Sequence, residues 1–425
     1  MDEEQENSYK SESTPKYHAR ETALEVAELY GASVVLGSAT PSLEAYYRAG
    51  RGEYRLLQLT KRLTGGELPT VYTVDLRQEL QEGNRSIFSR KLQELMTDRL
   101  NKGQQTILFL NRRGYAGFVS CRSCGEVMKC PHCDVSLSEH KGGRLICHYC
   151  GYTQPMPKLC PKCGSKYILG FKAGTQQIEE KLKELYPGVR TLRMDADTTR
   201  TKDSYEKILS SFANGEADVL IGTQMIVKGH DFPKVTLVGI LAADLSLNAS
   251  DYRAGERTFQ LLTQAVGRAG RGVLPGEAVI QTYQPDHYAI TCAAAQDYES
   301  FYQEEILYRE LSGYPPVAHM LAVQIYGKEE ENAKQLALRL TDVVKSNMDF
   351  LSGKQKEQSN KKIQVLGPAP ANISKINDIY RYVFYVKHAE YDVLVEVKDR
   401  LEETLRQWQP RQMSIQFDFD PVSVL

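Results

Sequence analysis

The sequence predicts an α/β protein whose parallel sheet is interrupted by a cysteine-rich, metal-binding insert and followed by a separate α+β domain. Three observations carry this expectation. Between about residues 85 and 305, short apolar runs alternate with amphipathic helical stretches, the pattern of strands buried on both faces of a parallel sheet. Eight of the nine cysteines form four C-x2-C pairs. After "SGYPPV" (312–317) the order becomes β-α-β-β-α-β, the split βαβ arrangement of ferredoxin-like domains.

Taken in order, the chain opens with "MDEEQENSYK", in which Asp2-Glu3-Glu4 reads like the acidic end of a Walker B strand, where a carboxylate holds the Mg²⁺ of a nucleoside triphosphate. Residues 1–80 otherwise read as the tail of an α/β unit: a helical stretch, an apolar strand "SVVLGSATP" (33–41), then a second helical stretch "SLEAYYRAG". Strands are expected at "TILFLN" (106–111), "VRTLRM" (189–194), "DVLIGTQ" (218–224), "TLVGILAADL" (236–245) and "EAVIQTY" (277–283). Helices such as "TQQIEEKLKELYP" and "ERTFQLLTQAVGRAG" lie between them. The cysteine block, 118–170, divides this unit into 81–117 and 171–305. The C-terminal domain, 306–425, runs strand "HMLAVQIYG", helix "EENAKQLALRLTDVVKSNM", a polar loop at 352–362, strands "IQVLGP" and "YRYVFYVK", helix "YDVLVEVKDRLEETLRQW" and strand "SIQFDFD".

Composition narrows the class. The chain has 425 residues, 41% hydrophobic and 25% charged, with a net charge of −1, so any surface for nucleic acid must be local. No apolar run approaches the ~20 residues of a membrane helix, and the first twenty residues are acidic and polar rather than a secretory signal. A soluble, cytoplasmic chain is expected, and in that compartment clustered cysteines point to metal ligation rather than disulfides.

C-x2-C lets two thiolates from one tight turn share a tetrahedral Zn²⁺. The pairs Cys121/Cys124, Cys130/Cys133, Cys147/Cys150 and Cys160/Cys163 supply eight ligands, hence two sites of four cysteines each. A nested arrangement joins 130/133 with 147/150 and, around them, 121/124 with 160/163; a sequential arrangement would join neighbouring pairs. The inner spacing, C-x2-C-x13-C-x2-C, resembles a zinc ribbon and favours nesting. His132 and His148, inside C-x2-C turns, read as bystanders. The insert and its immediate flank are also basic: Arg122, Lys129, Lys141, Arg144, Lys158, Lys162 and Lys166 within it and Lys172 just beyond it face Glu126, Asp134 and Glu139, a balance of 8 − 3 = +5 that favours DNA or an acidic partner.

Several strand ends carry the residue types of a nucleotide-driven motor. "GSATPS" (37–42) supplies small hydroxyl residues where an α/β sheet meets its ligands. "LFLNRRGY" (108–115) ends with Arg112 and Arg113, suited to phosphate contacts. "IGTQMIVKGHDFP" (221–233) presents Thr223, Gln224, Lys228, Gly229 and Asp231. In "QAVGRAGRG" (264–272), Arg268 and Arg271 are spaced to share one face of a helical terminus, which suits an arginine finger on a γ-phosphoryl group. Each motif alone is weak; their order makes the set specific.

With the four C-x2-C pairs, these stretches resemble the PriA (primosomal protein N′) family of replication-restart superfamily 2 helicases, and "YRAGERTFQLL", "YPPV", "VLGPAPA" and "DFDPVSVL" extend the resemblance to the C-terminus. The resemblance implies part of a first RecA-like lobe over 1–80, a complete second RecA-like lobe carrying the two-zinc insert, and the ferredoxin-like domain. It implies ATP-driven 3′→5′ unwinding of forked or single-stranded DNA, with single-stranded DNA-binding protein and the primosome and replicative-helicase-loading proteins as partners, at the nucleoid. In the complete motor Asp2 and Glu3 would serve Mg²⁺ and water, and Arg268 and Arg271 the γ-phosphate. Gly229, Asp231 and Gln264 would contact nucleotide, and Arg112, Arg113, Thr223 and Lys228 DNA. Two departures stand out: the family's DEEH is DEEQ here, with Gln5 unable to carry charge, and Gln176 replaces an acid typical of "AGTQQIEE" (173–180). No phosphate loop is found; "AVQIYGKE" (322–329) begins with Ala322 and follows Lys328 with Glu329. The chain is therefore expected to lack the family's Walker A loop and N-terminal DNA-binding domains, and to be inactive alone. The competing expectations are a zinc-dependent DNA- or partner-binding chain without ATPase activity, and another zinc-bearing superfamily 2 motor.

Overall fold

The computed structural model describes residues 1–59, 68–110, 119–133, 135–140, 143–169, 174–195, 198–199, 202–223, 226, 232–272, 274–346 and 362–422. At the centre is a six-stranded, all-parallel sheet in the spatial order Thr70–Asp75, Glu277–Thr282, Val235–Leu241, Gln105–Leu110, Val219–Gly222, Thr191–Met194. The middle strands Gln105–Leu110 and Val235–Leu241 are buried along their whole length, as near-continuous apolar runs require. Because side chains alternate across a strand, one strand feeds two cores. Ile107 and Phe109 pack with Val238, Ile240, Phe259 and Phe301 on one face, while Leu108 and Leu110 pack with Leu92, Met96, Ile178 and Leu182 on the other. Gly239 lies where helix Arg90–Asn101 presses closest; a Cβ there would strike Leu92 and Leu108.

The five strands read from the sequence between 106 and 283 are all present, with ends that differ by a few residues from the expected ones. Two features differ from expectation. Thr70–Asp75, within the stretch 1–80 assigned to the first lobe, is the edge strand of this same sheet, in register with Glu277–Thr282. Residues 33–41 form no strand: they make a single parallel bridge, Asp2 to Gly37, flanked by hydrogen bonds between Gly37 and Met1 and between Glu4 and Gly37. With a partner on only one side, Val35 stays 73% exposed.

The C-terminal domain has the expected β-α-β-β-α-β order. Its antiparallel sheet runs Gln364–Ile376, Ile379–His388, His319–Gly327, Met413–Phe419. Helices Glu330–Ser346 and Tyr391–Trp408 cover one face, burying Leu336, Leu340, Leu394, Val397 and Leu401 against Leu321, Val323, Ile325 and Phe384. The opposite face turns Met320, Ala322, Val383 and Tyr385 onto the cysteine-rich module. That module is entered and left through one short antiparallel pair, Ser120–Cys121 with Ile168–Leu169. "AVQIYGKE" begins inside strand His319–Gly327, not in a phosphate loop, and the polar loop at 352–361 lies outside the described residues. Among the described residues, no helix is long and apolar enough to cross a membrane.

Candidate functional site

The eight clustered cysteines converge as two tetrads, Cys121/Cys124/Cys160/Cys163 and Cys130/Cys133/Cys147/Cys150, each with its four sulfurs within 4.8 Å of one another. Nesting, not sequential pairing, is what the fold builds. The hairpin strands Ser138–His140 and Arg144–Ile146 bring the inner pairs together, and the neck strands bring the outer ones. None of the cysteines is in a disulfide. Sγ separations of 3.6 Å in Cys121–Cys163, Cys124–Cys160 and Cys130–Cys150 match the edge of a tetrahedron of four sulfurs around zinc, roughly 3.8 Å for Zn–S bonds of about 2.3 Å. The residues therefore fit two zinc ions. Both histidines stand outside the tetrads: His148 turns its Nε2 to His140 at 3.0 Å and its Nδ1 to the Pro370 carbonyl at 3.1 Å, while His132 packs edge-on to Tyr152.

A second site gathers where the acidic turn of residues 2–5 meets the second half of the sheet unit. Glu3 accepts a hydrogen bond from the Gln5 side chain at 2.6 Å and one from Gln264 at 3.4 Å. The Ser38 hydroxyl donates to the Gln5 amide oxygen at 2.6 Å, and Ser38 Oγ in turn accepts the Thr40 amide at 2.9 Å. Asp2 is exposed, its carboxylate accepting the Glu3 amide at 3.0 Å. Glu3 takes a positive φ of 48°, a conformation that is rare for a residue with a Cβ. Gln5 thus makes the hydrogen bonds a histidine could make here, without a titratable proton.

Glu4 is the anchor of this turn, and sequence reasoning missed it. It is 1% exposed and accepts the Ser42 amide at 2.6 Å, the Ser42 hydroxyl at 3.0 Å and Arg20 Nη1 at 3.0 Å. Ser42 also caps helix Leu43–Gly50 by accepting the Ala45 amide, so "GSATPS" is tied to the acids through its last residue as well as through Ser38.

Arg268 and Arg271 do not share a helical face. The helix ends at Val266, and Gly267 and Gly270 carry the chain into a turn. Gly270 has φ +67°, outside helical geometry, and a Cβ there would run into the backbone of Gly276, so this turn requires glycine. As a result Arg268 is buried while Arg271 is exposed, its Nε donating to the Gly267 carbonyl at 3.0 Å. Thr223 lies just past strand Val219–Gly222. Arg112, Arg113, Gln224, Lys228, Gly229 and Asp231 fall outside the described residues. Gln176 bonds Glu180 one turn along its own exposed helix face at 3.0 Å.

Three family models match the chain: the primosomal protein N C-terminal domain over 310–422, the PriA DNA helicase Cys-rich region over 130–155, and the helicase conserved C-terminal domain over 159–273. The chain is 45% identical to the replication restart protein PriA of Bacillus subtilis over 427 residues, an alignment covering 100% of this chain and 52% of that protein. It is 42% identical to the Synechocystis PriA and 40% identical to that of Chlamydia pneumoniae, again over 100% of the chain and over 50% and 55% of those proteins. The chain belongs to the PriA family. It spans about half the length of the curated relatives it matches.

Seen as a PriA-family chain, its described residues contain a further cluster that no local pattern announces. Arg309, fully buried, bridges Glu305 at 2.7 Å and Glu256 at 3.0 Å and donates to the Pro315 carbonyl at 2.7 Å. Arg253 pairs with Glu44 at 2.7 Å, and both arginines lie over the Tyr252 ring, about 5 Å from its centroid. Glu256 also accepts the Leu43 amide at 3.0 Å. Despite its burial, Glu44 is held far below the usual carboxylate range by the guanidinium groups of Arg253 and Arg20, whereas burial and the Glu44 charge push Glu256 upward. "YRAGER" and "YPPV" are visible as resembling stretches; that they meet across the fold is not.

Proposed function

We propose that this chain is the portion of an ATP-dependent 3′→5′ DNA helicase of the PriA type that carries the acidic turn, the second RecA-like lobe, the zinc module and the C-terminal domain. The observation that carries this reading is the Glu3–Gln264 contact. It sets the acidic turn against the segment leading to Arg268, the pairing a nucleotide cleft between two lobes needs. In the complete motor Glu3 orients or deprotonates the attacking water, Asp2 serves Mg²⁺, and Arg268 and Arg271 compensate charge on the γ-phosphoryl group. Gly229 and Asp231 join Gln264 around nucleotide, and Arg112, Arg113, Thr223 and Lys228 meet DNA. ATP and Mg²⁺ supply the phosphoryl chemistry; the residues above hold and orient them. The basic zinc module contacts forked or single-stranded DNA or the partners that load the replicative helicase, and single-stranded DNA-binding protein is a partner of the same kind. The working compartment is the cytoplasm, at the nucleoid.

No G-x4-G-K-[ST] sequence occurs among the 425 residues, so these residues hold no Lys to cradle the β- and γ-phosphates. The purified chain is expected to bind forked DNA with a salt-dependent affinity and to show no DNA-stimulated ATP hydrolysis above background. Robust turnover by this chain overturns the reading of it as a non-autonomous motor portion. Failure to bind DNA at low salt overturns the assignment of the DNA contacts.

A further inference from the structure

Two lysines from the loop that follows the acidic turn converge on one aspartate of the C-terminal domain. Lys10 Nζ lies 2.8 Å from Asp418 and donates to the Phe419 carbonyl at 2.9 Å. Lys16 Nζ lies 3.8 Å from the other Asp418 oxygen and donates to Gln324 at 3.1 Å. All three charged side chains are at most 8% exposed. Taking such charges out of water is costly and is offset only where opposite charges and hydrogen bonds meet them, so these contacts are not the incidental pairing of exposed side chains. The loop itself is pinned as a small hairpin by a Lys10–His18 bridge and a Ser11–Tyr17 backbone bond. Its base reaches the acids directly: the Tyr9 hydroxyl donates to the Asp2 carbonyl at 2.8 Å, and Arg20, two residues past His18, holds Glu4.

We propose that Asp418 is a positioning residue for the acidic turn: by pairing with both Lys10 and Lys16 it fixes the 10–18 hairpin, and through Tyr9 and Arg20 that hairpin fixes where Asp2, Glu3 and Glu4 stand. The C-terminal domain thereby sets the geometry of a site at the opposite end of the sequence. The consequence for phosphoryl transfer rests on the proposed role of Asp2 and Glu3, but the structural coupling does not.

Hydrogen exchange on the full chain separates the two. The Glu4 amide, bonded to the Gly37 carbonyl, and the Gly37 amide, bonded to the Met1 carbonyl, are reporters lying outside the hairpin and outside the C-terminal domain. In Asp418→Asn, an isosteric change that removes the charge, both amides are expected to exchange about tenfold faster, and Asp418→Glu is expected to restore much of the protection. Lys10→Met, which removes the partner from the other side, is expected to give the same pattern should Asp418→Asn not fold. Faster exchange confined to residues 8–18 and 413–420, or no change at all, overturns the proposal and leaves Asp418 a local structural ion pair. Absence of ATPase activity in the unsubstituted chain has no bearing on this result.

Discussion

Arg309 shows most clearly how single residues hold this molecule together. Its guanidinium is completely buried between Glu256 and Glu305, and breaking a buried pair strands charge that water cannot reach. Arg309→Met leaves both carboxylates without the cation that lies between them. The expected cost is about 3–5 kcal/mol, read as a lower urea midpoint with an unchanged slope. Replacing an exposed pair such as Lys162–Glu126, 3.2 Å apart with both side chains more than a third exposed, is expected to change stability by less than about 1 kcal/mol. A loss of similar size at both sites would contradict the distinction.

At the cysteine residues the prediction is one of stoichiometry. The unsubstituted chain is expected to bind two zinc ions, and Cys147→Ser, which cuts the inner tetrad to three sulfurs, to retain one. Metal analysis on folded protein decides it; a value well below two for the unsubstituted chain refutes the assignment of two four-cysteine sites.

Among secondary-structure elements, two helices begin on an unusual cap. His18 accepts the Arg20 amide on Nδ1 at the start of helix Ala19–Tyr30, and His287 accepts the Ala289 amide on Nδ1 at the start of helix Tyr288–Ala295. A ring nitrogen can accept only while unprotonated, and a charged imidazole would oppose the helix dipole. Burial lowers both groups from 6.5 to about 4, with Arg20 adding to the effect at His18 and Lys129 at His287. Unfolded chain takes up these protons first, near pH 6.5, so the stabilisation is complete above that value and is lost as pH falls from about 6.5 toward 4. Unfolding measured from pH 7.5 to 4.5 is expected to show this decline, with a shallower slope in His18→Asn/His287→Asn, which keeps an acceptor that does not titrate. An unchanged slope in the double variant contradicts the assignment.

Strand and helix placement is largely legible because its signals are local. Continuous apolar runs such as "TILFLN" and "TLVGILAADL" can satisfy neither water nor a one-sided sheet, and they form the buried centre. "HMLAVQIYG" matches its strand residue for residue. Where neighbours decide, local reading fails. "TVYTVD" is a partly exposed edge strand with no strong alternation, and "SVVLGSATP" is apolar enough for a strand but has a partner on only one side. The arginine turn escapes for a different reason: the i, i+3 spacing suits a helix, but Gly267 and Gly270 end the helix before the arginines can share a face.

For the molecule as a whole, the zinc module acts as a joint between the two larger units. Tyr149, inside the second inner C-x2-C turn, stacks on Tyr385 of the C-terminal sheet at 5.0 Å and packs edge-on to Tyr314, which stacks on Tyr252 at 4.6 Å. The cysteine spacing reveals the metal; nothing in it reveals that the inner site is buried beneath the C-terminal domain. Likewise the motifs for the acidic turn and for Arg268 are readable singly, while Glu4, Glu256 and Asp418 act through contacts that close only in three dimensions. The same architecture makes the division of labour testable: half of a PriA-type length contains the acids and the arginine turn but no phosphate loop.

The most direct measurement is DNA-stimulated ATP hydrolysis by a protein in which this chain is joined to the remainder of the Bacillus subtilis relative. That chimera is expected to turn over ATP, and Arg268→Ala within it to lower kcat by about 10³-fold or more, the size of an arginine-finger effect. A folded, DNA-binding chimera whose Arg268→Ala variant retains unaltered turnover would contradict the central claim that this chain supplies the charge-compensating half of the motor.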